Sequence, residues 1–257
     1  KDLAFLIDEV KKNFNCDIQE LTLEMNPDDM EDSYLQDLKS IGINRLSIGI
    51  QSFDDKVLSF MNRAHNANEA INCVDRGGAA GINNISIDLI YGIPNVTKEY
   101  WKDTVQKALS LGVQHISAYC LTIEENTAFS QMVKKGVFKT IPEERELEQF
   151  EYLNEELIKN DIYRYEVSNF SKDGFESKHN SAYWSKKKYL GVGASAHSYD
   201  GESRKWNVSH NRKYLKLIAE NETYFESETL SKEDVFNETL LTGLRTKKGV
   251  SLNDLDQ

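Results

Sequence analysis

The chain has few cysteines and no long apolar segment. Only three of its 257 residues are cysteines, and Cys16, Cys73 and Cys120 are too far apart in the sequence to resemble a metal-binding pair or a disulfide framework. No apolar run approaches the ~20 residues that a membrane-spanning helix needs. These absences argue against a disulfide-stabilised secreted scaffold and against a transmembrane segment, and we expect a cytoplasmic protein.

Basic residues are also outnumbered. The chain has 31 Lys and Arg against 42 Asp and Glu, which gives a formal net charge of −11 that is spread along the sequence. Nucleic-acid binding depends on clustered basic side chains. The one basic cluster, three lysines at 186–188, is typical of a solvated loop, so we expect no nucleic-acid partner.

The first half of the chain alternates predicted strands and helices. Each unit takes about 30 residues, a rhythm typical of parallel strands joined by crossover helices. The strands are rich in Ile and Leu without clean alternation, which predicts burial on both faces of the sheet. An amphipathic helix is predicted over 3–14, and strands are predicted at 20–27, 45–53, 84–94 and 115–122.

The rhythm breaks after Thr122. We predict a long helix that Pro142 opens and that runs to Lys159, a short strand at 165–170, a loop over 171–200, and mostly helices from His210 onward. The fold class is therefore α/β. We place a partial parallel (β/α) barrel in residues 1–130 and a mainly α region in residues 131–257.

Polar side chains follow the predicted strands where a parallel barrel gathers its functional groups. Glu24 ends the first strand, Gln51 ends the second, Asp88 lies late in the third, and Arg63 follows the second. Two carboxylates, an amide and a guanidinium suit an amino-acid nucleoside, because Arg forms bidentate hydrogen bonds with a carboxylate. Taken alone, Glu24 is more commonly a strand-end ion-pair partner, Gln51 a hydrogen-bonded polar residue at a strand end, and Arg63 a solvated helix residue. Asp88 is the exception, since it interrupts an apolar strand and burying an unpaired carboxylate is costly.

Two segments carry a family resemblance. The sequences RLSIGIQSF at 45–53 and DLIYGIP at 88–94 resemble the oxygen-independent coproporphyrinogen III oxidase family of radical SAM proteins, from about residue 18 to the end of the chain. The resemblance implies a TIM-type barrel with about four of six strands present, and S-adenosylmethionine as cofactor. The residues that would contact this cofactor, by the same resemblance, are Glu24, Gln51, Arg63 and Asp88. Thr122 would be a weaker backbone contact. We pair Arg63 with the methionine carboxylate, and Glu24 and Asp88 with the ribose hydroxyls or the ammonium.

A second motif indicates a branch of that family. His179 and Asn180, followed by Tyr183 and Trp184, resemble the HNxxYW motif of the heme chaperone (HemW) branch. The resemblance makes His179 a candidate heme-iron ligand, and Tyr183 and Trp184 candidates for packing on a porphyrin face. The alternative is that His179 and Asn180 hydrogen-bond a loop and that the aromatic side chains fill a second core.

The other four histidines differ in their expected roles. His115 enters a buried strand and is expected to be a core histidine. His197 is the second candidate ligand because flanking glycines allow close approach. The sequence assigns no role to His65 or His210.

The family implies a function for the longer parent protein. As a heme chaperone it would bind S-adenosylmethionine, a [4Fe–4S] cluster and heme, and would pass heme to an apoprotein. The alternative is the oxidase of porphyrin biosynthesis, which oxidatively decarboxylates coproporphyrinogen III to protoporphyrinogen IX.

The cluster motif of the family, CxxxCxxC, does not occur in this sequence. We therefore expect a fragment that binds no metal or cluster and is inactive by itself. We also expect an exposed first strand, through which the chain could dimerise.

Overall fold

The computed structural model describes residues 1–255 as two compact units, Lys1–Glu176 and a second that begins at Ser177. The first unit is built on a six-stranded sheet of order β1-β2-β3-β4-β6-β5. The strands β1 to β4 are parallel, while β6 pairs antiparallel with both β4 and β5. Their bounds are Thr22–Met25, Arg45–Gln51, Asn84–Tyr91, His115–Cys120, Tyr163–Arg164 and Asn169–Ser171 for β1 to β6.

Seven helices belong to the described part of the first unit, and a 3-10 turn at Pro27–Asp29 follows β1. Side chains fix several helix starts: Asp54 and Thr97 each accept backbone N–H bonds, and Asn66 forms a reciprocal capping box with Glu69. The helices α1 to α7 are Asp2–Asn13, Asp32–Ser40, Asp55–Phe60, Ala67–Ala79, Lys98–Ser110, Ala128–Lys134 and Glu143–Lys159.

The two faces of this sheet differ in polarity. Leu46, Ile48, Ile87 and Ile116 are fully buried in one core with helical side chains such as Trp101. Alternate positions on β2 to β4 are polar instead, and polar residues of β1 and β6 continue the row. The register aligns these residues across the sheet as Glu24, Ser47, Ser86, His115 and Ser171. Residues one apart on a strand point to opposite faces. The predicted burial on both faces thus holds for most central positions, but only one of the two faces is apolar.

The second unit contains a three-stranded antiparallel sheet of order β7-β8-β9. A helix, α8, precedes the sheet, and further helices lie between and after its strands. The bounds are Lys178–Trp184 for α8, His197–Tyr199, Ser203–Asn207 and Phe225–Thr229 for β7 to β9, and Asn211–Ala219, Lys232–Gly243 and Leu252–Leu255 for α9 to α11. Across residues 1–255, every helix is too short or too polar to cross a membrane.

The predicted α/β class and the first four strands and their order are confirmed. The loop predicted over 171–200 is wrong in part, because it contains α8 and β7. The segment predicted to be mostly helical from His210 also contains β9. The boundary between the two compact units falls after Glu176, later than the change in rhythm near 130, because α7, β5 and β6 pack onto the first sheet.

Candidate functional site

Glu24 and Asp88 lie on the polar face of the first sheet, toward the carboxyl ends of their strands. Glu24 is exposed on β1 and pairs in register with Ser47. Asp88 is half-buried and pairs with Ser117. Burial raises the pKa of Asp88 to about 6, the negative charge of Glu24 adds to this, and a hydrogen bond from Ser117 opposes it. The two carboxylates are therefore close enough to interact electrostatically. They lie at the edge of the sheet where the sequence predicts that polar side chains gather.

Gln51 ends β2 in an unusual backbone conformation. Its φ is 65°, in the left-handed region that few non-glycine residues adopt, and the register with β3 shifts between Ile48 and Gln51. A bulge of this kind redirects a side chain at the end of a strand. Strained positions of this type cluster at functional sites. The irregularity thus falls on a residue that the sequence had singled out.

Arg63 reaches back to the end of β2 from the loop before α4. Its Nη2 donates to the carbonyl oxygen of Gly49 at 3.0 Å and to Oδ1 of Asn26. His65, in the same loop, is buried and bonds the carbonyl of Ile50 at 2.9 Å. Two side chains therefore fasten this loop to β2, which places a cationic group beside the strand ends.

Gly49 leaves the space that these side chains occupy. A methyl group there would lie 2.9 Å from Nε2 of Gln51, 3.1 Å from Nη2 of Arg63 and 3.8 Å from Oδ1 of Asn26. The structure thus brings Gln51, Arg63 and Asn26 together around one glycine. The sequence had not singled out Asn26 or Gly49. The available signal was position alone, since Asn26 follows Glu24 at a strand end that Pro27 closes.

Thr122 lies just after β4 and is exposed. Its hydroxyl donates to the carbonyl of Cys120 at 3.3 Å. The position at a strand end agrees with the predicted location, while its predicted contact to the cofactor stays a prediction.

A buried polar network lies on the same face, nearer the strand beginnings. His115 is fully buried, with Nδ1 2.6 Å from the Ser86 hydroxyl and Nε2 2.8 Å from the Tyr165 hydroxyl. Burial and the nearby charge of Arg45 lower the pKa of His115 to about 3, so its imidazole is neutral at pH 7. His115 is a core histidine, as predicted.

The three cysteines do not form a cluster site. Cys16 is exposed between α1 and β1, Cys73 is buried in α4, and Cys120 ends β4. Burial raises the pKa of Cys73 and Cys120 to about 12, which disfavours the thiolate form that binds iron. Within residues 1–255, no three His, Cys, Asp or Glu side chains converge as a metal site. The donor set does not fit a [4Fe–4S] cluster.

In the second unit, the HNxxYW residues lie on α8. The rings of His179 and Tyr183 meet edge to face at 4.8 Å between centroids, and Tyr183 meets Tyr189 at 4.6 Å. His179 and Tyr183 are exposed and Trp184 is half-buried. The motif therefore presents an imidazole beside a row of aromatic rings.

Tyr183 and Trp184 also line a cavity of about 220 Å³ with Tyr199 on the sheet and Glu238 on α10. Arg204 also lines the cavity and forms a 2.8 Å ion pair with Glu238. This packing agrees in part with the alternative that the aromatic side chains fill a second core.

The other histidines of the second unit have different surroundings. His197 is exposed on β7, in register with Trp206. His210 caps α9 by accepting from the backbone N–H of Lys213 at 3.4 Å. His197 is thus a histidine comparable to His179 in exposure, while His210 has a structural role.

Comparison with known proteins finds similar sequences. A family model described as the radical SAM superfamily matches residues 1–108. The chain is 38% identical over 252 residues to heme chaperone HemW of Bacillus subtilis, which covers 98% of this chain and 66% of that protein. It is also 38% identical over 233 residues to heme chaperone HemW of Lactococcus lactis, which covers 91% and 61% respectively. The chain thus spans slightly less than two thirds of these relatives.

A solved structure shares the fold. Coproporphyrinogen III oxidase (HemN) from Escherichia coli, a radical SAM enzyme, matches with a TM-score of 0.80 and 20% sequence identity. The match covers 95% of this chain and 59% of that one, so it includes both units. The resemblance predicted from the sequence is confirmed: residues 1–108 match the radical SAM superfamily, and most of the chain is similar to HemW heme chaperones.

Proposed function

We propose that this chain is part of a radical-SAM-type heme chaperone, which binds S-adenosylmethionine at the strand ends of the first unit and heme at α8 of the second. The observation that carries the proposal is the HNxxYW motif, whose histidine stands at the end of a row of aromatic rings. The names of the relatives that are 38% identical support the same function.

The strand-end residues fit S-adenosylmethionine by their chemistry. This ligand carries a carboxylate, an ammonium, a sulfonium and two ribose hydroxyls. Arg63 would bind the carboxylate, and Glu24 and Asp88 would accept from the ribose hydroxyls or the ammonium. Gln51 supplies an amide whose Nε2 lies in the space that Gly49 leaves. Thr122 would add a backbone contact from the end of β4.

The α8 residues fit heme in a complementary way. A neutral imidazole is a common axial ligand of heme iron, and aromatic side chains pack on the porphyrin face. His179 would supply the ligand, and Tyr183 and Trp184 would supply ring contacts. The 220 Å³ cavity behind them lies below the ~300 Å³ at which small-molecule sites begin, so we expect the porphyrin to rest on the exposed ring edges.

The proposal assigns no step to a [4Fe–4S] cluster in this chain, because the described cysteines do not converge. A cluster belongs to the proposal for the whole protein only. An apoprotein that accepts the heme, a cytoplasmic location and a dimer also remain proposals for that protein.

Heme titration followed by absorbance tests this function. We expect saturable binding of heme to the wild-type chain and at least ~10-fold weaker binding to His179→Ala, because axial ligation is lost. His197→Ala is the comparison variant, since it removes the second candidate ligand, another exposed histidine of the same unit. Unchanged heme affinity in His179→Ala, or a loss confined to His197→Ala, would contradict the assignment.

The oxidase remains the second candidate function because the match to HemN covers both units. It predicts release of carbon dioxide from coproporphyrinogen III by the whole protein under anaerobic, reducing conditions. Decarboxylation by the whole protein, with no heme binding, would favour the oxidase over the chaperone.

A further inference from the structure

The guanidinium of Arg63 is held at one end only. Both recorded bonds start from Nη2, one to the carbonyl of Gly49 at 3.0 Å and one to Oδ1 of Asn26. A guanidinium has five N–H donors, so these bonds occupy two of them. Within residues 1–255, the N–H donors on Nε and Nη1 form no hydrogen bond to a protein acceptor. The remaining donors are therefore oriented by the protein and free to meet a ligand.

Gly49 makes this arrangement sterically feasible. A side chain at that position would meet Nε2 of Gln51 at 2.9 Å and Nη2 of Arg63 at 3.1 Å. Both atoms are the far ends of flexible side chains, so a methyl group would move them without breaking β2. A substitution at Gly49 should therefore change the site more than the fold.

Asn26 contributes a neutral hydrogen-bond acceptor. An aspartate, which has nearly the same size, would fit at the same position. An amide oxygen orients the guanidinium and leaves its positive charge uncompensated. A carboxylate at the same place would form an ion pair with Arg63 and would compete with an anionic ligand. An amide instead of a carboxylate at position 26 thus affects which ligand charge the site prefers.

We propose that Asn26 and Gly49 are positioning residues that aim Arg63, and that they make the strand-end site selective for a ligand that bears a carboxylate. The proposal rests on the S-adenosylmethionine site proposed above. It adds two residues and a specificity to that site.

The test compares the dissociation constants of two ligands by calorimetry. One is S-adenosylmethionine, and the other is its decarboxylated form, which lacks only the carboxylate. We expect the wild-type chain to prefer the first by roughly tenfold, since only that ligand accepts a charge-assisted hydrogen bond from Arg63. Arg63→Ala should abolish the preference. Asn26→Ala and Gly49→Ala should reduce it at least threefold, with the loss confined to S-adenosylmethionine.

Asn26→Asp gives the sharpest readout. It keeps an acceptor for Arg63 but neutralises the guanidinium, so the preference should reverse in favour of the decarboxylated ligand. Arg76→Ala is the control, because Arg76 also bonds a single backbone carbonyl, that of Met30, but lies on α4. Its preference should equal that of the wild type.

The possible results distinguish the positioning role of Asn26 and Gly49 from the S-adenosylmethionine site itself. Equal weakening of both ligands in Asn26→Ala and Gly49→Ala, with Arg63→Ala still abolishing the preference, would overturn the positioning role alone. An unchanged preference in Arg63→Ala, or no saturable binding of either ligand to the wild type, would overturn the proposed site itself and this inference with it. Thermal unfolding of each variant shows that it is folded.

Discussion

At the residue scale, Asp88 is the group whose chemistry depends most on its position. It is a carboxylate on an otherwise apolar strand, half-buried near Glu24, with Ser117 as its hydrogen-bond donor. Its pKa of about 6 means that it changes charge just below neutral pH. A ligand that donates hydrogen bonds to Asp88 favours the ionised form, so ligand binding and proton release are coupled.

This coupling predicts a pH dependence. The affinity of the wild-type chain for S-adenosylmethionine should fall several-fold between pH 7.5 and pH 5, because ligand binding must then remove a proton from Asp88. Asp88→Asn should bind more weakly at pH 7.5 and lose most of this dependence. Calorimetry at a series of pH values provides the measurement.

Asp103→Asn is the control for Asp88→Asn, since Asp103 is exposed on α5. It should keep the wild-type profile. If Asp88→Asn retains the full pH dependence, Asp88 is not the group that the ligand deprotonates.

At the element scale, the strands β2, β3 and β4 separate an apolar face from a polar one. Ile48, Ile87 and Ile116 lie in the core, while Ser86 and His115 on the other face satisfy each other. Burying polar groups costs little only when each is hydrogen-bonded. His115 meets this requirement as a neutral ring between two hydroxyls.

His115 therefore predicts an acid-sensitive fold. Its folded pKa, about 3, lies below the unfolded value near 6.5. The stability it contributes is complete above pH 6.5 and is lost as the pH falls toward 3, with a slope of up to about 1.4 kcal/mol per pH unit. Asp88 acts in the opposite sense, because its raised pKa makes folding more favourable below pH 6.

Urea unfolding between pH 7 and pH 4.5 measures this effect. His115→Gln, which can keep hydrogen bonds but does not titrate, should be less stable at pH 7 and should lose less stability on acidification. His210→Gln, at the exposed start of α9, should keep the wild-type slope. An unchanged slope in His115→Gln would show that protonation of His115 does not drive the acid effect.

The sequence predicted the elements whose periodicity is strong. Apolar strands spaced at about 30 residues predicted β1 to β4, and polar side chains at their ends predicted where Glu24, Gln51 and Asp88 lie. It did not predict α8, which has seven residues and no buried side chain, so it leaves no apolar periodicity to detect.

Contacts between distant residues were also beyond the sequence pattern. Asn26 and Arg63 are 37 residues apart, and their hydrogen bond depends on the bulge before Gln51 and on the space at Gly49. No local rule specifies that combination. The sequence pattern also did not distinguish the polar face of the sheet from the apolar face, since both faces are buried at the centre of the sheet.

At the scale of the whole molecule, the candidate residues divide between the two units. Glu24, Gln51, Arg63 and Asp88 belong to the first unit, and the α8 residues belong to the second. The division predicts two ligand sites that can be impaired separately. This separation is the central claim of the proposed function.

Parallel titrations of S-adenosylmethionine and heme into two variants test that claim most directly. Arg63→Ala should weaken S-adenosylmethionine binding roughly tenfold and leave heme binding unchanged. The double variant Tyr183→Ala/Trp184→Ala should weaken heme binding and leave S-adenosylmethionine binding unchanged. Loss of both ligands in either variant, or of neither ligand in both, would contradict the account.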